Sequence, residues 1–140
     1  MAAEDEVRQA SERFYAALNS VLDGGDSGPM EQIWSHGSDV SAMHPFGGRM
    51  LGWEEVRESW KQAAQAFSGG EVALDEMVVV PITEDAAYTL GTEHGQGRIG
   101  EETVGIDWRV TNAYRREAGG WKIVHHHTDF SSEVAQALGM

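Results

Sequence analysis

The segment Thr103-Val-Gly-Ile-Asp-Trp-Arg-Val-Thr-Asn-Ala-Tyr-Arg-Arg116 constrains the fold most, because its apolar residues recur with a period of two. Side chains on a strand alternate between faces, so Val104, Ile106, Trp108, Val110, Asn112 and Tyr114 share one side. Asp107, Arg109, Thr111 and Arg115 share the other, which suits solvent or a wet interface. Asn112 is a lone amide on an otherwise apolar stripe. Burying it without partners costs roughly 1–3 kcal/mol, so it must bond to a side chain such as His125, His127 or Tyr15, or to a ligand. A short glycine turn leads to a second strand-like run, Trp121 to Phe130, which contains His125, His126 and His127.

Upstream the periodicity changes. Val7 to Leu22 reads as a helix, with Val7, Ala10, Ser11, Phe14, Leu18 and Val21 on one face. A glycine-rich turn precedes a short helix over Pro29–Trp34. Asp39 to Phe46 reads as extended, since the residue before Pro45 is pushed out of the helical region, and Gly47-Gly48-Arg49 turns the chain. Gly52 to Phe67 forms a third helix, stopped by Ser68-Gly69-Gly70. Glu71–Pro81, Ala86–Gly97, Thr103–Arg116 and Trp121–Phe130 then form four strands joined by short turns. Helices first and hairpin-connected strands after predict an α+β fold, with three helices packed on a strongly bent, mostly antiparallel sheet. Gly91, Gly95, Gly97 and Gly105 are the expected points of bending. Residues 1–140 are expected to form one domain.

The charge balance narrows the partners. A net charge of −13 with only ten Lys and Arg residues argues against nucleic acid and against an anionic membrane. No apolar run approaches the ~20 residues of a membrane span. An acidic N-terminus without a secretory pattern and a chain without cysteine point to the cytoplasm.

The first-helix segment Glu12-Arg-Phe-Tyr-Ala-Ala-Leu-Asn19, the segment Met43-His-Pro-Phe-Gly47 with Leu51-Gly-Trp53, and the ending Tyr114-Arg-Arg with Trp121-Lys-Ile-Val-His-His-His127 occur in a characteristic order. In that order they resemble the nuclear transport factor two-like superfamily, in its SnoaL-like and ketosteroid-isomerase-like branch. The resemblance covers nearly the whole chain. It implies a cone-shaped α+β barrel of the cystatin-like kind, with one deep apolar pocket and usually a homodimer. It also places the ketosteroid isomerase tyrosine at Phe14, the base at His44 and the carboxylic acid near Asn112. None of those three residue types is retained, so the pocket carries over and the familiar steroid chemistry does not.

Candidate catalytic residues are therefore His44, Asn112, His125 and His127. An imidazole titrates near pH ~6.5 and can take or give a proton at neutral pH. Trp121 and Ile123 favour the odd-numbered histidines as inward, whereas Val124 and Phe130 favour His126, and alternation leaves both phases open. Asp129, in phase with His127, could orient that ring. Candidate ligand-lining residues are Phe14, Tyr15, Trp34, Met43, Phe46, Trp53, Trp60, Tyr88, Trp108 and Tyr114, which together suit a flat apolar or aromatic small molecule. A His-x-His pair with His44 or His94 is too sparse to predict a metal, and no nucleotide fingerprint is present, so no cofactor is expected.

Two functions compete at this point. One is a cofactor-independent isomerase, cyclase or dehydratase with His44 as base, and Asn112 with His125 or His127 holding a developing oxyanion. The other is a non-catalytic ligand-binding or association module, with Asp107, Arg109, Thr111 and Arg115 on a dimer face. Ring-hydroxylase small subunits share the implied fold, but the chain is short for that group.

Overall fold

The computed structural model describes residues 3–140, which form four helices and six strands. In chain order these are α1 (Ala3–Leu22), α2 (Gly28–Ile33), β1 (Ser41–His44), β2 (Gly47–Leu51), α3 (Trp53–Ala66), β3 (Phe67–Thr83), β4 (Ala86–Ile99), β5 (Glu102–Glu117), β6 (Gly120–Thr128) and α4 (Ser132–Ala137). The strands make one sheet in the order β2-β1-β6-β5-β4-β3. Only β1 and β6 run parallel; every other neighbouring pair is antiparallel. The architecture is the expected α+β arrangement of helices on a curved sheet.

The core lies between the sheet's concave face and helices α1 and α3. Val7, Ala10, Phe14, Leu18 and Val21 of α1, and Trp53, Val56, Trp60 and Ala64 of α3, meet Val72, Val79, Ala87, Ile106, Tyr114 and Ile123 from the strands. Each helix buries residues three and four apart, which is why its sequence reads with a 3.6 period. Asn19 fastens α1 to the sheet like a missing strand partner. Its Nδ2 donates to the Val72 carbonyl at 3.0 Å, and its Oδ1 accepts from the Val72 N–H at 2.8 Å.

Two elements were not anticipated. Gly47–Leu51 is strand β2, paired antiparallel with β1, and the turn falls instead at Pro45 and Phe46. The chain also ends in α4. There Ser131 caps Val134 through its hydroxyl, the Ser131 N–H donates to the Pro45 carbonyl at 2.7 Å, and Glu133 accepts from the Gly105 N–H at 2.7 Å. Val134 packs with Ile99 and Val104 as a small second cluster at that end of the sheet.

The expected bending glycines are not equivalent. Gly95 has φ +156°, and an added Cβ would lie 2.0 Å from the Glu71 carbonyl oxygen, so backbone meets backbone where β3 and β4 curl together. At Gly105 the nearest atom to such a Cβ is the Glu133 carboxylate at 3.9 Å. Gly95→Ala should therefore lower the unfolding free energy by about 2 kcal/mol or more, while Gly105→Ala should change it by less than ~0.5 kcal/mol. Urea denaturation of the two variants checks this; equal effects would show that the close approach at Gly95 does not hold the bend.

Candidate active site

His44 ends β1 just before the tight turn that starts at Pro45, and it points inward. The ring is 4% exposed and stacks on Phe46 with centroids 4.9 Å apart, while Trp60 of α3 meets it edge-on at 4.7 Å. Its Nε2 lies 2.9 Å from the Ser59 hydroxyl. That hydroxyl donates its own hydrogen to the Val56 carbonyl at 2.7 Å, so Nε2–H of His44 must be the donor to Ser59. In the neutral ring Nδ1 is then left with its lone pair.

A second group of polar side chains runs across the concave face as a continuous relay. The Trp108 indole N–H donates to Glu93 Oε1 at 2.8 Å, and the Tyr15 hydroxyl donates to Glu93 Oε2 at 2.8 Å. Asn112 Nδ2 donates to the Tyr15 oxygen at 3.1 Å, which fixes the orientation of the amide. Asn112 Oδ1 therefore accepts from His126 Nδ1–H at 2.7 Å. The other ring nitrogen of neutral His126, Nε2, keeps a lone pair. The members come from α1, β4, β5 and β6, and Asn112 at the centre has no exposed surface. His126 and His44 face each other with ring centroids 5.9 Å apart, and Phe14 and Trp60 flank His126 at 5.2 and 5.6 Å.

These groups border an apolar cavity. Its walls include Leu18, Val21, Phe46, Trp60, Phe67, Val104, Ile106, Trp108 and Val134, and its titratable lining is His44, Glu93 and His126. The free space is about 50 Å³, against the ~150 Å³ of a cavity known to hold benzene, so a ring-bearing ligand requires side chains at the mouth to move. Phe46, Phe67 and Trp108 are half-buried there, and α4 contributes Val134. A larger groove of about 1040 Å³ between α1 and the β3–β4 curl is open to solvent and holds no buried titratable group.

Burial sets the charge states. It pushes the Glu93 carboxyl up to about 6, against the opposing hydrogen bonds from Trp108 and Tyr15. It pushes His44 down to about 4 and His126 well below its ordinary value, in the latter case with help from the neighbouring imidazoles. Burial together with the Glu93 carboxylate raises Tyr15 well above the usual phenol range. At neutral pH the cavity therefore holds two uncharged imidazoles and a carboxylate poised near its own titration.

The structure separates the residues expected from the sequence. His44 faces the cavity, and Phe46, Trp60 and Trp108 line it. Tyr15 joins the relay, whereas Phe14, Trp34, Trp53 and Tyr114 belong to the core around it. Met43 and Tyr88 alternate with buried neighbours and sit half-buried on the opposite face of the sheet. Asn112 is inward, but both ends of its amide are engaged within the protein and it does not line the cavity.

His125 and His127 are not brought into the cavity; His126 is. Up to Ile123 the odd residues of β6 are buried, but the register with β5 slips by one between the pairs Tyr114↔Ile123 and Ala113↔His125. The extra residue, Val124, is a β-bulge that reverses the phase. His125 instead bonds Ser41 Oγ through Nδ1 at 2.7 Å, and His127 is exposed on the outer face. Asp129 does not orient His127: it forms a two-pronged ion pair with Arg109 at 2.9 Å on each prong. Glu93 is the group that sequence reading passed over; its strand-embedded carboxylate was visible, but not its direction.

These charge states have opposite effects on stability. His44, lowered from 6.5 to about 4, contributes on the order of 3 kcal/mol that is present above pH 6.5 and lost as pH falls toward 4. Glu93, raised from 4.5 to about 6, contributes on the order of 2 kcal/mol that is present below pH 4.5 and lost as pH rises through 6. Glu93→Gln removes the second slope. The variant should therefore lose stability more steeply than the parent between about pH 6.5 and 4.5, measured by urea denaturation across that range; parallel profiles would contradict these charge states.

Comparison with known proteins places this geometry in a family. Residues 7–131 match the sequence profile of the SnoaL-like domain. No curated protein sequence matches the chain. Among solved structures, a Streptomyces avermitilis protein of the nuclear transport factor two-like family, provisionally assigned as a dehydratase, superposes with a TM-score of 0.75. It is 23% identical and covers 91% of this chain and 95% of its own. A nuclear transport factor two-like superfamily protein from Salmonella enterica gives a TM-score of 0.78 at 19% identity, covering 91% and 90%. A Thiobacillus denitrificans protein, provisionally assigned as a calcium/calmodulin-dependent protein kinase type II association domain, gives 0.69 at 26% identity, covering 88% and 93%. With its fold shared and 7–131 matched by the profile, the chain belongs to the SnoaL-like domain family.

Proposed function

We propose that this protein binds a small, largely apolar, ring-bearing molecule in the cavity beside His44 and moves a proton on it without a cofactor, as an isomerase, cyclase or dehydratase. The observation that carries this reading is the confinement of His44, His126 and Glu93 to one apolar enclosure, the two imidazoles 5.9 Å apart between ring centroids and the carboxylate held by Tyr15 and Trp108. Proton transfer is most effective when the group titrates near the working pH. By that measure Glu93, at about 6, is a better exchanger than His44, at about 4. Glu93 takes or gives the proton, while the lone pairs at His44 Nδ1 and His126 Nε2 bind and orient the substrate. Tyr15 and Asn112 are positioning residues, because they hold Glu93 and His126 and do not line the cavity. The dehydratase assignment of the Streptomyces relative is in keeping with such chemistry.

Incorporation of solvent deuterium into hydroxy-substituted cyclic ketones, followed by NMR, tests this. The parent protein should accelerate exchange at the carbon beside the carbonyl, and Glu93→Gln should slow it by ~10²-fold or more. No acceleration over buffer, or a rate in Glu93→Gln equal to the parent's, would rule the proton-transfer reading out.

An association role has its own observation. On the outer sheet face Val78 pairs with Leu90, and Val80 with Tyr88, and Val78 and Leu90 are 53% and 42% exposed. Opposed residues of an antiparallel pair share a face, so these form one apolar patch that continues across β5 toward Thr111. The second copy of this chain is the proposed occupant, giving a homodimer, and the Thiobacillus relative assigned as an association domain is in keeping with that. Light scattering should show a dimer in the parent and a monomer in Leu90→Asp; a parent monomer would eliminate the interface.

A further inference from the structure

The cavity wall is almost wholly apolar, and the few polar side chains set into it accept hydrogen bonds and offer almost none. His44 gives its Nε2–H to Ser59, and His126 gives its Nδ1–H to Asn112, so each presents a lone pair on its other nitrogen. Each Glu93 oxygen accepts one hydrogen bond and retains capacity for another. The two donors at that carboxylate, the Trp108 indole N–H and the Tyr15 hydroxyl, are both engaged by it. No lysine or arginine lines the cavity. Among the lining side chains of the described residues, the one donor without a partner is the buried Trp60 indole N–H.

From this arrangement we infer that the cavity takes an uncharged ring compound bearing hydroxyl groups, a phenol or cyclic alcohol, held by hydrogen bonds that the ligand donates, and that it excludes carboxylates and phosphates. The inference rests on the cavity being the ligand site, as proposed above. An anion entering an apolar enclosure needs donors or a cation to replace its hydration, since an isolated buried charge costs many kcal/mol. A single indole N–H does not supply that, and a nearby carboxylate repels it. A hydroxyl group reverses the balance. It donates to an imidazole lone pair while its oxygen can accept from the Trp60 N–H. The burial that keeps both imidazoles neutral supports the same conclusion, because an imidazolium would have welcomed an anion.

Phenol, toluene and benzoate have similar rings and differ in the group they present, so they separate the alternatives. Each is titrated by NMR against histidine-labelled full-length protein and against Phe46→Ala, which widens the half-buried mouth. The expected result is phenol binding at least ten times more tightly than toluene, with shifts in the His44 and His126 ring resonances, and no binding of benzoate. Toluene or benzoate binding as tightly as phenol, or phenol binding that leaves both rings unshifted, would overturn the inference about hydroxyl donors while leaving an apolar cavity open to other ligands. Binding of none of the three to either protein would overturn both this inference and the cavity as a ligand site.

Discussion

The structure turns on the burial of one amide. Asn112 sits in the middle of β5 with no exposed surface, and an amide in that position has two polar ends to satisfy. Its nitrogen donates to Tyr15 of α1 and its oxygen accepts from His126 of β6, so the helix and the last strand are fixed to each other through it. Tyr15 in turn holds Glu93 of β4, whose second oxygen is held by Trp108. A network that is complete in one arrangement and broken in any other selects that arrangement. Here it also sets which nitrogen of His126 keeps its lone pair, so packing fixes the tautomer of a ring that lines the cavity.

How far the sequence could be read follows from the same physics. The β5 stripe from Val104 to Tyr114 is buried as its alternation requires, apart from the half-buried Trp108, and the helix faces of α1 and α3 follow their 3.6 period. Asn112 had to be inward, and Tyr15 was among its foreseeable partners. The histidine run was not legible. A bulge at Val124 inserts one residue and reverses the phase, and no residue type in Val124-His-His-His announces it. Glu93 was hidden for a different reason. Its inward neighbours Thr89, Gly91, Gly95 and Gly97 are small or polar, so β4 has no apolar stripe from which to infer direction. Strand β2 was obscured by its two glycines, and α4 is a short segment whose cap and contacts are tertiary.

The cavity that results is small and almost wholly apolar, with three acceptor side chains, His44, Glu93 and His126, set into its wall. Membership of the SnoaL-like domain family fixes the fold and not the reaction, and the chemistry open to this chain lies in the groups set around its cavity. A carboxylate lifted toward neutrality and two imidazoles held neutral differ from an arrangement built to receive an anion. The mouth is closed by rings and by Val134 of α4, so a ligand of the proposed kind would have to displace apolar side chains before it met the hydrogen-bonding groups behind them.

The most direct measurement of this account is nitrogen-15 NMR of the imidazoles at neutral pH. His126 should carry its proton on Nδ1 and His44 on Nε2, each as a single fixed tautomer that stays uncharged well below the ordinary histidine range. Either ring found charged at neutral pH, or exchanging freely between tautomers, would contradict the relay through Asn112 and the bond to Ser59 on which the rest is built.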